Sequence, residues 1–151
     1  MKKDMTFIKK IFPDYFERFN LPEGAKEMEI EVFRACKSWV CDRESFTPTF
    51  EEQGYKYLGS QNQSYPGIYS LSTCERAVDI KRFVKTNSEY ERPYKIAIGK
   101  TDGKYGVAQR TRERKDGYRG SHVDYWLYRD AKPYESFRMI DDFNQYMQMK
   151  R

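Results

Sequence analysis

Polar and apolar positions alternate most strictly from Gly120 to Arg129, which reads Gly-Ser-His-Val-Asp-Tyr-Trp-Leu-Tyr-Arg. Successive side chains of a strand point to opposite faces. A strand over 121–129 therefore places His122, Asp124, Trp126 and Tyr128 on one face and Val123, Tyr125 and Leu127 on the other. Glu27 to Ala35 alternates in the same way, Met28, Ile30 and Val32 against Glu27, Glu29 and Glu31, and predicts a half-buried strand. Its register puts Arg34 on the apolar face, where an unpaired guanidinium is costly. Arg34 either snorkels to the rim from a strand end or sits there for a functional reason.

Helical spacing appears three times. Ile8, Ile11, Phe12, Tyr15, Phe16 and Phe19 recur around Pro13, which fits a helix starting near Pro13 and ending at Asn20 to Gly24. Ser72-Thr73-Cys74-Glu75 matches a capping box, and Ala77, Ile80, Phe83 and Val84 continue it as the buried stripe of a helix over 74–86. Phe137, Ile140, Phe143 and Met147 predict a C-terminal helix near 137–148, although Arg138 to Ile140 could instead finish a strand. Further strands are expected near 67–72, 94–99 and 107–113, with Asp102-Gly103 favouring a tight turn between the last two. Ser45 to Tyr57 has no clean period, and Gly59 to Gly67 reads as a polar loop. Together these predict an α+β domain: a mostly antiparallel sheet of about five strands, helices near both termini and one central helix.

Composition refines this picture. The 151 residues suit a single globular domain spanning 1–151. Aromatic residues make up 17 %, so the core should be built from Phe and Tyr, many of the 13 tyrosines burying the ring and hydrogen-bonding the hydroxyl. Net charge is +5, which favours anionic partners. Cys36, Cys41 and Cys74 form no paired motif and only one histidine is present, so neither a disulfide framework nor a metal site is expected. A charged N-terminus and the lack of any apolar run of about 20 residues fit a cytoplasmic protein without a membrane span.

Candidate chemistry concentrates late in the chain. Lys100 to Arg119 holds seven basic residues against three acidic. Arg110, Arg112, Arg114, Lys115 and Arg119, with Tyr118, Trp126 and Tyr128, form the guanidinium-plus-aromatic mixture that contacts phosphates and stacks bases; a solvated hairpin face is the bland alternative. Extended geometry would place the three arginines on one side. His122 and Asp124 lie about 7 Å apart along one strand face and could flank a ligand as base and orienting group, though no nucleophile motif accompanies them. The reading that follows is a non-catalytic binding protein for nucleic acid, a nucleoprotein or an acidic protein partner, needing no cofactor.

Val32-Phe33-Arg34, Tyr69-Ser70-Leu71-Ser72 and Gln109 to Glu113 occur in an order that resembles the Arg–Ser–Glu class of ADP-ribosyltransferases. In that class a strand arginine grips the NAD phosphates, a serine-bearing strand supports the nicotinamide site and a late glutamate helps ionise the glycosidic bond. The resemblance implies NAD as cofactor and Arg34, Ser70 and Glu113 as the catalytic residues. The run Ser121 to Tyr128 also looks like that of small uncharacterised bacterial, phage or mobile-element proteins.

Overall fold

The computed structural model describes residues 10–87 and 94–149; Ile8 and the charged first residues lie outside them. Six strands, β1 (Glu31–Cys36), β2 (Leu71–Cys74), β3 (Lys95–Lys100), β4 (Gly106–Arg110), β5 (His122–Leu127) and β6 (Phe137–Met139), form one antiparallel sheet in the order β4-β5-β2-β1-β3-β6. Three helices accompany it, α1 (Thr49–Glu52), α2 (Ala77–Asn87) and α3 (Phe143–Met149), together with short 3-10 turns. The architecture is α+β as expected, with six strands rather than about five. No described helix is long and apolar enough to cross a membrane, and the three cysteines are free.

Connectivity forces this sheet to curl. Thr101 to Tyr105 must carry the chain from β3, near one side, to β4 at the opposite edge. Four strand spacings in a flat sheet amount to about 19 Å, and six Cα steps reach about 20 Å only when fully extended. The segment is not extended, because Tyr105 N–H donates to Asp102 O (2.9 Å). The strands must therefore wrap around a common core, and Lys26, just ahead of β1, pairs with Ala108 on the outer side of β4. Tyr125 fixes the crossing: its buried hydroxyl donates to Asp102 O and accepts from Asp102 N–H, both at 2.9 Å.

Inside the curl, Val32, Cys36, Leu71, Ala97, Val123, Tyr125 and Leu127 pack with Phe46 and Phe137. On the other side of β1 and β3, Phe33, Ala35, Ile96 and Ile98 bury against Ile80 of α2 and Ile140, with Phe143 and Tyr146 of α3 alongside. Burial of such side chains supplies about 1.5–3 kcal/mol each. A third cluster is aromatic, Trp126, Tyr69 and Phe50 against Phe12, Tyr15, Phe16 and Phe19, with Phe19 stacked on Tyr69 at 4.1 Å. The aromatic-rich core with hydroxyls turned to partners is thus present: Tyr128 donates to Glu27 (2.6 Å) and Tyr105 to Glu135 (2.6 Å).

Several boundaries differ from the pattern-based expectation, for physical reasons. The capping box does not form, because Ser72, Thr73 and Cys74 are drawn into β2 by pairing with Asp124, Val123 and His122. α2 begins at Ala77 instead, and Ser121 takes over its N-terminus: Ser121 Oγ accepts from Arg76 N–H (2.9 Å) while donating to Asp79 (2.6 Å). The strand expected over 107–113 stops at Arg110, and Thr111–Glu113 turns as a 3-10 helix. The helix expected over 137–148 divides into β6, which pairs Ala97, Ile98 and Gly99 of β3, and α3. Residues 66–69 form a 3-10 turn ahead of β2, the segment after Pro13 is a 3-10 helix over Asp14–Arg18, and Asp102-Gly103 closes a crossover rather than a hairpin.

Arg34 neither snorkels nor reaches the rim, being only 9 % exposed. β1 pairs β3 at six positions but is in ladder register with β2 only at Phe33 and Cys74. Into the gap between β1 and β2 the guanidinium donates to Ser72 O (3.0 Å) and Ser45 O (3.1 Å), with Glu52 at 3.8 Å. Burial lowers the basicity of Arg34 and Glu52 opposes this. The side chain replaces ladder hydrogen bonds that the two strands do not make.

Removing the Tyr125 hydroxyl should loosen the curl. Tyr125→Phe leaves the Asp102 peptide without its buried partner, and chemical denaturation should read a loss of about 1–2 kcal/mol; an unchanged midpoint would show that the crossover holds itself.

Candidate functional site

The densest polar arrangement lies on the face of β5 that alternation assigned to His122 and Asp124. Asp124 is in the middle of the strand with 0 % exposure. A carboxylate in that position requires donors on both oxygens. Ser70 Oγ donates to Oδ1 (2.7 Å), Thr111 Oγ1 donates to Oδ2 (2.9 Å), and Arg114 Nη1 pairs with Oδ2 (2.8 Å). Arg114 also donates to Gln109 Oε1 (3.0 Å), and its guanidinium lies over the Trp126 ring at 5.6 Å.

These partners come from three elements brought together by the sheet. Ser70 precedes β2, whose Ser72 is the register partner of Asp124, and Gln109 of β4 is its register partner on the other side. Thr111 and Arg114 come from the turn that ends β4 early. Had the strand continued past residue 110, alternation would have kept Thr111 on the face of Asp124, opposite His122, but would have turned Arg114 to the other face.

The network also sets the state of His122. Its Nδ1 is 2.7 Å from Thr111 Oγ1. Thr111 has one hydroxyl proton, which the Asp124 carboxylate accepts, so Nδ1 must be the donor to Thr111. Neutral His122 then keeps its lone pair on Nε2. Burial lowers the histidine's pKa from its ordinary value; Asp124 opposes this, whereas Arg114, Lys115 and Arg34 push the same way. The imidazole lines an open cavity of about 470 Å³ whose walls include Tyr65, Arg114, Lys115 and Tyr118. That volume falls in the range of small-ligand pockets. A smaller cavity of about 320 Å³, lined by Tyr15, Arg43, Glu51 and Arg129 among others, contains no histidine.

The basic segment is divided rather than aligned. Arg110 makes a two-point pair with Glu75 (2.9 and 3.1 Å), which Arg112 joins at 3.5 Å, and Arg114 is held by Asp124. The pair with Glu75 raises the basicity of Arg110. The three arginines therefore do not share one extended face. Lys115 and Arg119 remain exposed, and Lys115 Nζ lies 5.9 Å from the Tyr118 ring. Trp126 and Tyr128 are buried and cannot serve as open stacking platforms; Trp126 donates to Pro66 O (2.9 Å). Tyr65, 51 % exposed, offers an open aromatic face at the cavity, a role that no sequence pattern assigned to it.

Of the residues named through the transferase resemblance, Ser70 belongs to the Asp124 network, Arg34 fills the gap between β1 and β2, and the Glu113 side chain, 43 % exposed, stands 4.0 Å from Arg110. Thr111 and Gln109 are further members that the sequence reading missed. The available signal was Asp124 itself: an aspartate in mid-strand needs buried donors, but nothing in the spacing names them. Among the described residues, no group of three or more His, Cys, Asp or Glu side chains could hold a metal ion.

Because Arg114 loses its buried counter-ion in Asp124→Asn, that variant should cost about 3 kcal/mol in chemical denaturation. A double-mutant cycle with Arg114→Ala should return a large favourable coupling energy; additivity of the two single effects would deny the pair its structural role.

Compared with known proteins, the chain matches no family model, no curated protein and no solved structure.

Proposed function

We propose that this protein binds single-stranded nucleic acid at the cavity beside His122. The observation that carries the reading is the combination, around about 470 Å³ of open space, of aromatic walls from Tyr65 and Tyr118 with the cations Arg114 and Lys115. Stacking on aromatic rings and neutralisation of phosphates are the two contributions that hold single strands without reading their sequence. Arg119 and Arg112, exposed on the same chain segment, extend the positive potential along a strand leaving the cavity.

Fluorescence anisotropy with a labelled single-stranded oligonucleotide tests this. Affinity should fall steeply with salt, and Lys115→Ala with Arg119→Ala should reduce the slope of log K against log salt by about 0.7 for each phosphate contact removed. Tyr65→Ala should cost about 1–3 kcal/mol of binding at any salt. Affinity indifferent to all three substitutions would sink the proposal.

A second reading, an NAD-dependent ADP-ribosyltransferase-like enzyme, is favoured by one specific observation. The three sequence segments that resemble that class are neighbours in the fold: Arg34 bonds the Ser72 carbonyl, while Ser70 and Thr111 share Asp124. Incubation with labelled NAD should then release nicotinamide, with Glu113→Gln and Arg34→Lys each abolishing the release. Turnover that survives Glu113→Gln would remove the role of that residue.

A further inference from the structure

A binding surface needs no histidine held in one tautomer, and the relay behind His122 asks for a different explanation. Asp124 accepts from Thr111, Thr111 accepts from His122 Nδ1, and Nε2 is the ring nitrogen left for the cavity. Buried carboxylate, oriented hydroxyl and neutral imidazole together make an oriented proton acceptor. Beside it, Arg114 holds Asp124 and Gln109 through Nη1 alone, which leaves Nη2 at the wall near Gly67, and Lys115 lines the same space. A base next to two cations suits phosphate-ester cleavage by an internal hydroxyl, which needs a proton acceptor and stabilisation of charge on the phosphoryl oxygens.

We propose that the cavity cleaves RNA, with His122 as the general base. The inference rests on the nucleic-acid reading above and goes beyond it. Nε2 removes the proton from a ribose 2′-hydroxyl, and O2′ forms a bond to the adjacent phosphorus. The P–O5′ bond breaks, and O5′ leaves with a proton from solvent admitted through the open cavity. The products are a 2′,3′-cyclic phosphate and a 5′-hydroxyl; the proton on Nε2 returns to solvent, and no oxidant, reductant or second substrate is consumed. Arg114 and Lys115 stabilise the charge gathering on the phosphoryl oxygens. Thr111 and Asp124 are positioning residues, acting only through the imidazole.

The pH dependence follows from the groups that face His122. Burial, Arg114, Lys115 and Arg34 favour its neutral form, and Asp124 favours the cation. Cys74, across the ladder from His122, and Tyr118 are both pushed upward by burial, Cys74 to about 11, so neither titrates with it. The base form therefore persists below the ordinary histidine value of about 6.5, and the rate should rise on an acid limb centred under that pH and then stay level through neutrality.

The experiment uses the full chain with an end-labelled oligoribonucleotide in chelator, beside its 2′-O-methyl counterpart. Expected are cyclic-phosphate ends from the first, and binding without cleavage of the second. His122→Gln should lower the cleavage rate by about 100-fold or more. Its circular dichroism spectrum should match that of the parent protein, which reports that it is folded. Thr111→Val should lower the rate and move the acid limb, whereas Thr111→Ser should restore both. Binding of the 2′-O-methyl strand with no cleavage of the RNA overturns the proposal and leaves the binding reading standing, as does cleavage undiminished in His122→Gln. Failure of either strand to bind overturns both readings.

Discussion

A carboxylate with no solvent exposure, Asp124 in the centre of β5, is the constraint on which the rest of the site depends. Placing a charge there is unfavourable unless every lone pair has a donor, and one strand cannot supply them. The donors come from the segment before β2, from the turn after β4 and from the guanidinium of Arg114. Each of these segments is irregular where it meets Asp124. The 3-10 turn at Thr111–Glu113 ends β4, and the 3-10 turn at Pro66–Tyr69 precedes β2. The irregular backbone and the buried charge thus belong to one solution, in which the turn after β4 brings Arg114 to a carboxylate that a continued strand would have turned it away from.

A second charge divides the sheet. Arg34 reaches from β1 to the Ser72 carbonyl of β2 and to the Ser45 carbonyl of the 44–46 turn, so the ladder between the halves β4-β5-β2 and β1-β3-β6 has one register pair with a guanidinium beside it. Curl and division have related origins. The five-residue crossover between β3 and β4 requires the edges to approach, and a locally interrupted ladder bends more readily than a continuous one. Cross-links around the crossover, Tyr125 to Asp102 and Lys26 to Ala108, then hold the curled form.

Electrostatics in the basic segment also depend on this geometry. A count along the chain credits Lys100 to Arg119 with a large positive excess, but Glu75, 35 residues upstream of Arg110, neutralises part of it, and Asp124 holds Arg114. What remains toward solvent is a smaller set of cations around Lys115 and Arg119, next to a cavity rather than along a flat face. The local charge that a ligand would meet is therefore more focused than the sequence excess suggests.

By itself the sequence determined what depends on local periodicity: the strand at β5 with its two faces, β3, the Ala77, Ile80 and Val84 stripe of α2, the aromatic core and the α+β class. Phe83 of that stripe is instead 42 % exposed, and the half-buried strand expected over 27–35 forms as Glu31–Cys36 with both faces buried. The sequence also marked Arg34 as a charge out of place and singled out His122 and Asp124 on one face of β5. It could not decide how those charges are compensated, because Ser70, Thr111 and Ser45 reach them across 11 to 54 residues with no repeating interval. The boundaries it misplaced failed for the same reason. Ser72 to Cys74 has the local chemistry of a helix cap, yet pairing with β5 offers four backbone positions at once. Phe137 and Ile140 fit a helical stripe with Phe143 and Met147, yet β3 presents an open edge that takes Phe137–Met139, in line with the strand alternative for Arg138 to Ile140. Local patterns weigh neighbours within about one turn or one pleat, whereas ladder pairing and the burial of charge are settled by partners that only the folded chain brings near.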